Sequence, residues 1–120
     1  MSGSSFANPS FAIKLGSTLP ELLREAIYTD GTPIDLTGAA LEFRFQLVDN
    51  DGQLDSTAAA QSGPAAAVPG TVGFWVYDWS TAPAVAGVYA GELGIALPAG
   101  GISYPFGGYI FFAALAAISV

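Results

Sequence analysis

Residues 71–97, TVGFWVYDWSTAPAVAGVYAGELGIAL, decide how this chain folds, because they hold both of its tryptophans and repeat at a period of two. Trp75, Tyr77 and Trp79 alternate with Val72, Phe74 and Val76, so both faces of this first strand carry large apolar groups and both are expected to be covered. In the second half Tyr89, Leu93, Ile95 and Leu97 share one face. Val88, Ala90, Glu92, Gly94 and Ala96 make a thinner one. Residues 80–87, with Pro83 and Gly87, read as the turn of a core hairpin.

Upstream, Leu41, Phe43, Phe45 and Leu47 alternate with Glu42, Arg44 and Gln46, the pattern of a half-buried antiparallel strand. Asp30-Gly31-Thr32-Pro33 is a turn before it, and Phe11, Ile13 and Leu15 mark a short first strand. Residues 18–28 carry two signals. Thr18 and Glu21 form a capping box, and Leu19, Leu22, Leu23, Ala26 and Ile27 have helical spacing. The Asp30-Gly31 turn and the strands around it favour a strand there instead. Residues 53–70 are rich in Ala, Ser, Pro and Gly and read as loop, with at most a short edge strand at 54–60. Downstream follow a turn at 98–101, a short strand at 102–106 broken by Pro105, and a last strand at 109–120. Seven to eight short strands without a firm helix predict an all-β, antiparallel, immunoglobulin-like β-sandwich. Residues 11–120 form that single domain, and residues 1–10, which lack the features of a signal peptide, form a flexible or docking arm.

Composition removes several classes of function. With 3 Lys+Arg against 10 Asp+Glu and a net charge of −7, the chain has no basic stripe for nucleic acid. Having neither Cys nor His, it lacks disulfides, thiol nucleophiles, the usual zinc ligands and the commonest general base. The apolar tail is too short to span a bilayer, so neither nucleic acid nor membrane is an expected partner. With 52% of residues hydrophobic and 11% charged, some apolar surface is expected to meet other chains.

Asp49, Asp51 and Asp55 with Gly52 suggest part of a calcium loop, but Ala60 stands where a closing acid belongs, so a polar turn is the better reading. Asp35, beside Thr37, reads as an Asx turn rather than a catalytic carboxylate. Trp75, Tyr77, Trp79 and Tyr89 read as core before they read as a sugar-stacking platform. No acidic pair is distinguished by its setting as a glycosidase would require. No enzyme activity and no cofactor is expected. The last strand is apolar on both alternate faces, as is the strand at 72–79, which nominates Phe74, Val76, Ile110, Phe112 and Ile118 as interface residues.

The run Asp30-Gly31-Thr32-Pro33-Ile34-Asp35-Leu36-Thr37-Gly38-Ala39 before the strand at 41–47, followed by Tyr77 and Trp79, Gly87 and Tyr89, Tyr104-Pro105 and Gly108-Tyr109-Ile110, resembles the amino-terminal domain of upper baseplate proteins of tailed bacteriophages. The likeness runs over about residues 15–113. It implies a virion β-sandwich, assembled in the host cytoplasm, that docks on other virion proteins within a homo-oligomer or symmetric assembly. Family members commonly continue into a receptor-binding module, whereas this chain ends at Val120. The expectation is therefore a small accessory protein, a capsid decoration or cement protein or a neck component. The alternatives are a tail or baseplate adaptor and a carbohydrate-binding module.

Overall fold

A computed structural model describes residues 9–17 and 20–116. Eight strands follow in order: β1 (Phe11–Lys14), β2 (Leu22–Glu25), β3 (Ala40–Leu47), β4 (Gln61–Ala67), β5 (Phe74–Tyr77), β6 (Gly87–Leu97), β7 (Gly100–Tyr104) and β8 (Ile110–Leu115). They form one path, β1-β8-β6-β3-β4-β5-β2, with β7 beside β6. The fold is all-β, as expected, but the sheet is mixed and strongly curled into a half-barrel rather than a clear antiparallel sandwich. The mixed character comes from β1, which runs parallel to β8 with Phe11 opposite Phe112. The curl runs through β4, which pairs with β3 over residues 61–65 and passes to β5 at Ala66 and Ala67.

The axis of the sheet is β6, an 11-residue strand. One edge is taken by β3, with Leu41 opposite Ile95 and Leu47 opposite Tyr89. The other edge is shared end to end by β8, against residues 87–91, and β7, against residues 93–97. The two halves of that shared edge run in one direction, and residues 105–109 bulge out between them opposite Glu92. That excursion starts at the cis Tyr104-Pro105 bond and carries Phe106, stacked on Tyr28 at 6.2 Å.

Two sequence expectations are corrected by these pairings. The hairpin at 71–97 does not form: β5 lies between β4 and β2, β6 lies between β3 and β8, and residues 78–86 cross from one half of the curl to the other. That crossing is held by side chains. The Tyr77 hydroxyl donates to the Thr81 carbonyl and accepts from its N–H, and the Tyr89 hydroxyl does the same for Val85. From β4, Gln61 donates to the Ala82 carbonyl and accepts from the Ala84 N–H. Trp79 enters the crossing in a left-handed conformation, φ 60°, which costs about 1–3 kcal/mol and is imposed by its packing. Its ring lies 5.1 Å from Tyr77 and 5.2 Å from Phe112, and its Nε1 donates to the Pro20 carbonyl at 3.1 Å.

The second correction concerns residues 61–67, read as loop and found as β4, in the middle of the path. Small residues are what this strand needs. A Cβ on Gly63 would come within 2.7 Å of the Tyr77 hydroxyl, so large aromatics across the fold leave room only for glycine. Pro64 is tolerated because β5 reaches only Ala66 and Ala67, leaving that side of β4 open along residues 61–65. Of the edge strand expected at 54–60, only a bridge from Leu54 to Val48 exists.

Within the chain, cover of β5 is one-sided, which leaves the nominated Phe74 open to a neighbour. Trp75 and Tyr77 are fully buried, but Val72 and Phe74 on the opposite face are 53% and 37% exposed. Elsewhere the reading holds: Leu41, Phe43 and Phe45 point into the core, Ile13 of β1 is buried, and residues 22–25 are strand. The core is a cluster of rings from β3, β5, β6 and β8 in the concavity, with Phe43 5.1 Å from Tyr77 and Tyr89 stacked on Phe112 at 5.3 Å. Gly91 makes room for it, since a Cβ there would collide with the Phe43 ring.

Candidate docking face

At the end of the path, β2 pairs antiparallel with β5, Leu23 opposite Val76 and Glu25 opposite Phe74. Alternation does the sorting. Leu22 and Ala26 of the β2 segment face the core with Trp75 and Tyr77, which leaves Glu21, Leu23 and Glu25 outward beside Phe74, Val76 and Asp78. On the far side of β5, Ala66 is opposite Val76, and the Val68 N–H donates to the Phe74 carbonyl at 2.9 Å. An apolar strip therefore crosses three strands, Ala66, Val76 and Leu23 in one row, with Val68 and Phe74 in the next. Leu23 is 52% exposed. Carboxylates stand around the strip: Glu21 and Asp78 at one end, Glu25 beside Phe74.

No cation on β2 or β5 faces this strip. Arg24 turns to the other side, its guanidinium 5.3 Å from the Phe11 ring and its Nη1 donating to the Leu23 carbonyl at 3.1 Å. The two ends of the sheet path, β1 and β2, thus meet through side chains rather than through a hydrogen-bonded ladder. Arg44 lies on β3, its Nη2 2.9 Å from Glu92 and 3.1 Å from the Ser103 hydroxyl. It lines a shallow groove of about 340 Å³ with Gly94, Ala96 and Ile102. There Gly94 lets the guanidinium lie flat, because a Cβ would approach Nη2 to 2.9 Å. Lys14, on β1, is exposed.

The five nominated interface residues separate. Phe74 and Val76 sit side by side on the apolar strip, and Ile110 is half-buried against the core. Phe112 does not belong with them: at 0% exposure it is a core residue with no side-chain surface to offer. The parity of β8 was assigned to the wrong faces, and it is Tyr109, Phe111 and Leu115 that point outward, Tyr109 and Leu115 being 41% and 45% exposed. Ile118 lies outside the described residues. Leu23 was missed because the helical spacing of residues 18–28 masked the outward series Glu21, Leu23, Glu25, which is the signal that finds it.

The loop carboxylates serve turns. The Asp35 carboxylate accepts from the Thr37 N–H at 3.0 Å, as an Asx turn requires. Asp30 and Asp55 accept from both the N–H and the hydroxyl of Thr32 and Thr57. Bonds from the threonine hydroxyl and then the amide hold all three carboxyls below the ordinary 3.8. Asp49 accepts from the N–H groups of Asp51 and Gln53, closing the polar turn that the sequence favours over a calcium loop. Trp75, Tyr77, Trp79 and Tyr89, the rings considered for sugar stacking, are at most 2% exposed and offer no open ring face. No protein-family model, curated protein or solved structure matches this chain.

Proposed function

We propose that this chain is a non-enzymatic structural module of a tailed-phage virion, an accessory protein of the capsid surface or neck that docks on other virion proteins. The observation that carries the docking role is the outward apolar strip of Leu23, Phe74 and Val76 on a domain whose own core is already filled by Trp75, Tyr77, Trp79 and Phe112. Such a strip costs solubility unless another protein covers it. Its assignment to a virion rests on the resemblance of residues 15–113 to the baseplate-protein domain, which also supports kinship with sandwich domains of that class. A tail or baseplate adaptor uses the same face. Burial of the four candidate stacking rings weighs against the carbohydrate-binding alternative.

The test is the particle. Purified virions from cells carrying this gene should contain the chain at a symmetric position, with the β2–β5 face against a neighbour in the cryo-electron density. Its absence from purified particles would overturn the proposal.

A further inference from the structure

We infer that the β2–β5 face receives a different protein whose contact surface has an apolar centre ringed by lysine or arginine, and that it does not receive a second copy of this chain. The inference rests on the docking role proposed above and names the chemistry of the partner. The strip formed by Ala66, Val76, Leu23, Val68 and Phe74 has its boundary in Glu21, Glu25 and Asp78.

The charge is one-sided by construction. Glu21 and Glu25 flank Leu23 at strand spacing, and Asp78, one residue beyond the end of β5, is exposed next to them while its carboxylate also accepts from the Ser80 N–H at 3.0 Å, so continued alternation brings all three carboxylates to one surface. The same alternation sends Arg24 to the other side of β2, over Phe11. Arg44 is engaged by Glu92, the one salt bridge among the described residues. A two-fold contact through this face would set Glu21, Glu25 and Asp78 of one copy against the same groups of the other with no cation among them, and each chain already carries a net charge of −7. Like charges gathered at an interface oppose association, whereas lysines or arginines on a partner's rim pair with them and steer its approach. Anionic lipid and nucleic acid are repelled on the same ground.

The experiment uses the full chain, isotope-labelled, and a cyclic β-hairpin peptide as probe, with valine and leucine at the centre of one face and lysines around them. A twin peptide carries glutamate in place of lysine. The lysine form should shift the amide signals of Leu23, Phe74 and Val76 and bind at least about ten-fold more tightly than its twin at low salt, the preference shrinking as salt rises. Glu21→Lys with Glu25→Lys should reverse the preference. Leu23→Ser, at a side chain 52% exposed, should weaken both peptides with the thermal midpoint nearly unchanged, and Phe74→Ser should weaken both with a modest loss of stability, because that ring is 37% exposed. Equal binding of the two peptides, or shifts elsewhere on the domain, overturns the inference. So does a dimer in sedimentation equilibrium that Phe74→Ser abolishes, which would make the occupant a second copy, or Phe74-dependent binding to phosphatidylcholine vesicles. In particles, loss of incorporation with Phe74→Ser but not with the charge reversals would keep the docking role and remove the basic rim.

Discussion

At the scale of single residues, two hydroxyls and one missing Cβ explain how the chain crosses from β5 to β6. Tyr77 and Tyr89 satisfy both backbone groups of Thr81 and Val85, in a segment with no strand partner of its own. Tyr77→Phe should therefore lower stability by about 1–3 kcal/mol in urea unfolding, because it strands the Thr81 N–H and carbonyl in a partly buried site. Gly63→Ala pushes a Cβ against that same hydroxyl, so the double variant should cost less than the sum of the single ones. Additive costs would show that the contact at Gly63 is not what excludes a side chain. The two tryptophans make a matched pair. Trp79 Nε1 donates to Pro20, while Trp75 Nε1 is buried without a partner. Trp79→Phe should thus cost more than Trp75→Phe, and Trp79→Ala should cost about 3–5 kcal/mol. Three of the Asx turns shape the acid limb. Because Asp30, Asp35 and Asp55 have folded pKa values below 3.8, the folded state binds their protons less tightly than the unfolded state does. Their contribution is fully present above 3.8 and is lost as pH falls through the folded values. Replacing all three with Asn should flatten the drop in the urea midpoint below pH 4, and an unchanged acid limb would contradict this.

At the scale of elements, the parity of β8 separates core from surface. Phe112 stacks on Tyr89 and Phe11, while its neighbour Phe111 lies over Ala90 on the outer side of the sheet. Phe112→Asp should unfold the domain, since a carboxylate has no partner among those rings. Phe111→Asp should leave a folded protein by near-ultraviolet circular dichroism. If both variants fold, Phe112 is not the keystone its contacts make it. The sequence of β8 is apolar on both faces, so nothing in its alternation could say which face is inward. The same holds for β5, where only pairing with β2 and β4 leaves Phe74 and Val76 outside. In β3, by contrast, Glu42, Arg44 and Gln46 alternate with Leu41, Phe43 and Phe45, and the face was legible from the residues alone.

At the scale of the whole molecule, the curled path gives β6 partners along both edges while β1, β2 and β7 have one neighbour each. Amide exchange should therefore be slowest in β3 and β6 and fastest in β1, β2 and β7, and uniform protection would show that the ends of the path are closed in solution. What the amino-acid sequence determined by itself was local. Alternation at a period of two made strands of residues 11–14, 41–47, 74–77 and 87–97, the Asx and Gly turns punctuated them, and the bulk of the aromatics marked the core. Tertiary structure decided which strands meet. Residues 71–97 look like a hairpin because they are adjacent in sequence, yet β6 finds better cover between β3 and β8, and the crossing that this requires is held by tyrosine hydroxyls no pattern announces. Residues 61–67 have too little apolar bulk to signal a strand, and they become one by pairing with β3 and β5, with Gly63 where Tyr77 leaves no room for a side chain. Periodicity records which side of a strand is apolar, while pairing depends on the volumes and edges of residues far apart in the chain.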